Sequence, residues 1–112
     1  MKATVAASIV ALFCFGNSTA AVAQPEFGDV AAGRTVAAEI CSACHAIAAE
    51  ESGESPVPEA PSFVDVAATS GMTATALFAW MTTSHPTMPN IILSPEELRN
   101  VVAYILSLQD PT

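Results

Sequence analysis

The sequence predicts an all-α fold made of a few short helices around one core. Apolar residues recur at helical spacing near both ends of the region that we expect to fold, and residues that favour helix N-termini precede several of these stretches. No stretch shows the apolar and polar alternation of a strand. The chain has 112 residues, and much of its apolar content is alanine, which buries little area. We therefore expect one domain whose core is completed by a large apolar ligand.

The first 23 residues are typical of a secretory signal peptide. A basic residue at the start is followed by an uncharged apolar run over 5–15 and by a small-residue cleavage pattern at Ala21-Val22-Ala23. The run is shorter than the roughly 20 residues that cross a bilayer, so a membrane anchor is disfavoured. Lipid attachment at Cys14 is disfavoured because a large residue precedes it. We expect cleavage after Ala23, which leaves a domain at 24–112.

The expected mature chain is strongly acidic. Once Lys2 is removed, Arg34 and Arg99 are the only basic residues against 11 acids, so the net charge is −9. Nucleic acids and anionic membranes are therefore poor partners, and a basic docking surface on another protein is favoured. The alternative is that the charge only keeps an exported protein soluble.

The first helix is predicted over Asp29–Ile40, with Asp29 as its N-cap. Prolines in the loop over 50–61 disfavour helix there, because proline lacks an N–H and clashes with the preceding turn. Short helices are predicted over 63–67, after Ser62, and over 73–81. Residues 82–93 are predicted to be irregular.

The last helix has the clearest signals. Ser94-Pro95-Glu96-Glu97 combines an N-cap serine, a proline at the first helical position and a capping-box glutamate. Leu93 and Leu98 are spaced to form a hydrophobic staple around this cap. An apolar stripe then runs to Leu108, with Tyr104 beside it.

The motif Cys41-Ser42-Ala43-Cys44-His45 has the spacing of a c-type haem attachment site. Two thiols three residues apart can reach the vinyl groups on one porphyrin edge, and the adjacent histidine can bind the iron. A thioredoxin-like redox pair would need strands around it. A zinc site would need further ligands, and only His85 is left over. A plain disulfide would leave His45 unexplained.

Met88 is the best candidate for the second axial ligand of such an iron. It lies 43 residues after His45, in an irregular segment that prolines stiffen. A thioether ligand favours ferrous iron and raises the reduction potential. His85 is the rival ligand, and Met72 and Met81 are interpreted as core residues.

With these features the chain resembles the class I c-type cytochromes, particularly small bacterial periplasmic ones, over essentially its whole mature length. The resemblance rests on the first helix with its motif, on Met88-Pro89 and on the Val102-Ala103-Tyr104-Ile105 helix. It implies the class I cytochrome c fold, in which N- and C-terminal helices cross and short helices and loops wrap around one covalently bound haem c. In that family a glycine and an aromatic meet at the crossing, and Gly33 and Tyr104 match them. Ala37 stands where the family often has another aromatic.

The resemblance also implies roles for residues around the haem. A proline carbonyl after the motif accepts a hydrogen bond from the histidine Nδ1–H, and Pro61 is the candidate, with Pro58 as the alternative. The remaining aromatics are expected to line the haem pocket: Phe63, Phe78 and Trp80. The Trp80 indole N–H could bind a haem propionate, or the side chain could simply pack in the core.

These features predict a monomeric periplasmic electron carrier with one haem c, His/Met axial ligation and no catalytic activity of its own. The alternatives are an electron-accepting cytochrome subunit of a larger periplasmic dehydrogenase or oxidase, and a haem sensor or peroxidase with an open iron position. Redox proteins with a basic surface are the expected partners. The mature chain has no lysine, so the lysine-based docking of many family members is not carried over. The acids of the long loop form either a solvated face or a docking surface: Glu50, Glu51, Glu54 and Glu59.

Overall fold

The computed structural model describes residue 16 and residues 27–51, 54–84 and 86–110. The described residues form helices and no strands, which confirms the predicted all-α class. The elements in chain order are α1 (Val30–Glu39), a 3₁₀ turn (Cys41–Ala43), α2 (Phe63–Ala68), α3 (Ala74–Thr82) and α4 (Pro95–Ser107). None of the described helices is long and apolar enough to span a membrane. The predicted signal peptide with its cleavage after Ala23, and the rival ligand His85, lie outside the described residues.

Each α-helix begins at a polar residue whose side chain accepts a hydrogen bond from a first-turn N–H. These N-caps are Asp29, Ser62, Thr73 and Ser94. At α4 the predicted capping box is complete, because the Glu97 N–H donates to Ser94 Oγ at 3.1 Å and the Ser94 N–H donates to Glu97 Oε2 at 2.8 Å. These caps satisfy N–H groups that have no partner inside the helix.

Helix α1 packs against α4, and glycine permits the close approach. A Cβ added at Gly33 would overlap the Asn100 carbonyl oxygen and would lie 2.9 Å from Tyr104 Cβ. The predicted meeting of Gly33 and Tyr104 is therefore confirmed. Asn100 is buried, and its Oδ1 accepts the Asp29 N–H at 2.8 Å, which ties the start of α1 to α4.

The core lies mainly along α4. Val101 and Val102 are both fully buried, although they are neighbours in the chain, so α4 is enclosed on more than one side. Leu77 of α3 and Phe63 of α2 complete this core. The predicted staple residues flank the α4 cap and are partly buried against the same cluster: Leu93 and Leu98. Helices α2 and α3 thus pack against α4, and the 3₁₀ turn packs against α1.

Candidate functional site

The two cysteines lie in a tight turn at the end of α1. The N–H groups of Cys44 and His45 both donate to the Cys41 carbonyl oxygen, at 3.1 and 2.9 Å. Cys41 is buried, Cys44 is half-buried, and both are free thiols. Burial raises the pKa of the Cys41 thiol above its usual value, so the neutral thiol is favoured there. The turn brings two thiols and an imidazole into one short segment.

The His45 ring is held by the loop that precedes α2. Its Nδ1 lies 2.6 Å from the carbonyl oxygen of Pro61. Because a carbonyl oxygen can only accept, Nδ1 carries the proton and Nε2 keeps a free lone pair. The contact implied by the resemblance is therefore present, and it involves Pro61 rather than Pro58. The part that either residue plays in holding a cofactor stays a prediction.

Aromatic side chains occupy the space beside His45. The Phe63 ring is buried, with its centroid 5.5 Å from that of His45 and 6.3 Å from that of Tyr104. Phe78 makes a different contact, an edge-to-face pair with Phe27 at 5.1 Å. Trp80 of α3 is 57% exposed, and its place beside a haem stays a prediction.

The segment after the motif is tied to distant parts of the chain by its backbone. The Cys44 carbonyl accepts the Val57 N–H at 3.2 Å, and the Ala46 carbonyl accepts the Phe63 N–H at 2.9 Å. The Ile47 carbonyl accepts the Tyr104 hydroxyl at 2.6 Å. Side chains of Ser55 and Glu51 hold the N–H groups of the same segment. Neither Ser55 nor this role of Glu51 is predicted by the sequence, because no pattern marks side-chain hydrogen bonds to the backbone of an irregular segment.

Met88 is half-buried in the irregular chain between α3 and α4. Met72 is partly buried against the core, as predicted. Met81, near the end of α3, is half-buried. The ligand role of Met88 stays a prediction.

A pocket of about 290 Å³ lies beside Pro61. It is lined by Glu54, Ser55, Pro58, Ala60, Pro61, Ser62 and Asp65. Two carboxylates give this surface a negative charge close to the loop that holds His45. Within the described ranges, no group of three or more His, Cys, Asp or Glu side chains is placed to hold a metal ion.

The donor set fits a covalently attached haem. Two free thiols of a C-x-x-C-H motif can form thioethers, and the adjacent imidazole presents an unprotonated Nε2. A family model described as Cytochrome c matches residues 30–109, from the first residue of α1 to just beyond α4, which is well over half of the chain. Searches of curated proteins and of solved structures found no match.

Proposed function

Because the chain belongs to the cytochrome c family, we propose that it is a periplasmic electron carrier with His45 and Met88 as axial ligands of one haem c. The family binds covalently attached haem c and is generally one of electron carriers, so haem-based electron transfer is the chemistry of this domain. When bound, haem supplies a one-electron iron couple. Thioether bonds from Cys41 and Cys44 would make it permanent.

The hydrogen bond between His45 and Pro61 carries this proposal. It fixes the imidazole tautomer, leaves Nε2 for the iron and raises the basicity of the ring as a ligand. A histidine without such a second bond could rotate and could present either nitrogen. The buried Phe63 ring, with its centroid 5.5 Å from that of His45, limits that rotation further.

Two axial ligands from the chain would leave no open position for a substrate, which favours a carrier over an enzyme. The half-buried position of Met88 in a proline-flanked segment supports its role as the second ligand. The exposed Trp80 supports a place at the edge of the haem, where its indole N–H could reach a propionate. Electrons would then pass through the exposed haem edge while the ligands stay fixed.

We further propose a redox partner with a basic docking surface. Glu50, Glu54 and Glu59 are all exposed, and Glu54 lines the acidic pocket beside Pro61 together with Asp65. A mature chain with net charge −9 would attract a cationic surface over several ångströms and would speed encounter at low salt. The predicted signal peptide over 1–23 supports export to the periplasm, where the chain would act as a free, monomeric carrier.

An optical and ligand-binding test separates the proposal from its alternatives. The mature chain is co-expressed with haem-maturation machinery and its spectra are recorded oxidised and reduced. We expect low-spin spectra in both states and no rapid binding of carbon monoxide to the reduced protein. A high-spin spectrum with rapid carbon monoxide binding would contradict His/Met ligation and favour the open-site sensor or peroxidase. Gel filtration of the native protein distinguishes a free carrier from a subunit of a larger complex.

A further inference from the structure

A buried serine holds the peptide unit attached to the axial-ligand candidate. The Ala46 N–H belongs to the peptide unit that begins at the Cα of His45, and it donates to Ser55 Oγ at 3.0 Å. Ala46 is 5% exposed and Ser55 is 7% exposed, so water competes little for this bond. The hydroxyl therefore fixes the rotation of the backbone from which the His45 side chain projects.

A carboxylate holds the next two peptide units. Glu51 Oε2 accepts the N–H of Ile47 at 3.0 Å and that of Ala48 at 3.2 Å. Hydrogen bonds to a charged acceptor are stronger than those between neutral groups. Glu51 is exposed, yet its two bonds close a turn directly behind the histidine.

The same loop also holds the ring of His45. Pro61 accepts the Nδ1–H at 2.6 Å, and the Val57 N–H donates to the Cys44 carbonyl at 3.2 Å. Along the chain, Ser55 lies between the motif and these two loop residues. The loop therefore holds both the backbone and the ring of His45. If the backbone end moves, the distance from Nδ1 to the Pro61 carbonyl must change with it.

We infer that Ser55 and Glu51 are positioning residues for His45. They fix its backbone so that the imidazole keeps both its direction and its bond to Pro61. This role rests on the proposed function, because the direction and basicity of His45 matter through the iron it would bind. Groups that orient a metal-binding histidine tune the affinity and the potential of the metal.

The first test compares Ser55→Ala with Ser94→Ala in the haem-loaded protein. Both variants delete a serine hydroxyl that accepts a backbone N–H, but Ser94 caps α4 and does not contact the segment after the motif. For Ser55→Ala we expect the Ala46 amide to exchange its hydrogen with solvent at least about tenfold faster than in the wild type. We also expect changed NMR signals of the His45 ring and a changed midpoint potential. Ser94→Ala should change neither the ring signals nor the potential.

The second test compares Glu51→Ala with Glu54→Ala. Both remove one negative charge from the same loop, but Glu54 does not bond to the Ile47 and Ala48 amides. We expect the His45 ring signals to move in the Glu51 variant alone. If the His45 ring signals and midpoint potentials of Ser55→Ala and Glu51→Ala match those of their controls, this inference is overturned while the proposed function stands. A wild-type chain that attaches no haem would overturn the proposed function and the inference together.

Discussion

The Tyr104 hydroxyl donates a 2.6 Å hydrogen bond to the carbonyl oxygen of Ile47, 57 residues earlier in the chain. Both residues are buried, and Ile47 lies two positions after His45. This bond joins the terminal helix to the segment that follows the cysteine motif. The aromatic that packs at the crossing with Gly33 thus also fixes the backbone behind His45.

Replacing Tyr104 with phenylalanine should destabilise the haem-loaded protein. The substitution leaves the ring but strands a buried Ile47 carbonyl, which typically costs about 1–3 kcal/mol. Urea unfolding followed by tryptophan fluorescence and haem absorbance measures the change in the free energy of unfolding. Ser70→Ala is the control, because Ser70 lies in an exposed turn far along the chain from Tyr104, and its loss should cost less than about 0.5 kcal/mol. Equal stability of Tyr104→Phe and the wild type would show that the bond contributes nothing.

Stability should decline in alkaline solution because of the same tyrosine. Burial raises the Tyr104 pKa above its usual value of 10.0; the charge of Arg34 opposes this rise, and the charges of Glu50 and Glu51 add to it. The unfolded chain then loses this proton at lower pH than the folded chain, so the contribution is present below about pH 10 and is lost as the pH rises further. Tyr104 is the single tyrosine and the chain has no lysine after Lys2, so few other groups titrate there. Unfolding from pH 8 to 11.5 should show a decline that Tyr104→Phe flattens; an equal decline in both proteins would contradict this origin.

Gly33→Ala should open the crossing of α1 and α4. The added Cβ would overlap the Asn100 carbonyl oxygen, which is backbone and cannot rotate away. We expect a loss of about 2 kcal/mol or more in the free energy of unfolding, despite the better helix propensity of alanine. Ala31→Val adds atoms at an exposed position of the same helix and should cost less than about 1 kcal/mol. A Gly33→Ala variant that is as stable as the wild type, or more stable, would contradict the close contact with Asn100.

The helices could be predicted from local sequence signals, whereas the contacts that hold His45 could not. Ser94 and Glu97 lie three residues apart, so their capping box can be predicted from a short stretch of sequence. The pairing of His45 with Pro61 was accessible only through the family resemblance. Ser55 lies in an irregular loop, where position in space depends on the whole fold. The edge-to-face pair of Phe78 with Phe27 could not be predicted either, because aromatic composition does not identify a partner.

Met88→Ala should remove the sulfur-to-iron absorption band of the oxidised protein in the near infrared and should lower the midpoint potential, because thioether ligation favours ferrous iron. Near-infrared spectroscopy and redox titration measure these changes. Met72→Ala and Met81→Ala are the controls and should keep the band. A band that survives in Met88→Ala would show that another side chain binds the iron.

Reversing charge on the long loop should slow reaction with a cationic partner. We choose Glu54→Lys with Glu59→Lys, which leaves Glu51 and its backbone bonds intact. At low ionic strength the double variant should reduce a small cationic oxidant more slowly than the wild type does, and the difference should shrink as salt is added. An anionic oxidant serves as the control and should show the opposite change. If the double variant reacts at the wild-type rate with each oxidant, the loop does not direct docking.

Covalent haem on Cys41 and Cys44 is the central claim, and intact-protein mass spectrometry tests it most directly. The chain is expressed with haem-maturation machinery, alongside a Cys41→Ala, Cys44→Ala double variant. We predict that the wild-type chain begins at Gln24 and carries the mass of one haem after denaturation, and that the double variant carries none. A denatured wild-type chain without added haem mass would contradict the account, and the two cysteines would then have to be interpreted as a disulfide or redox pair.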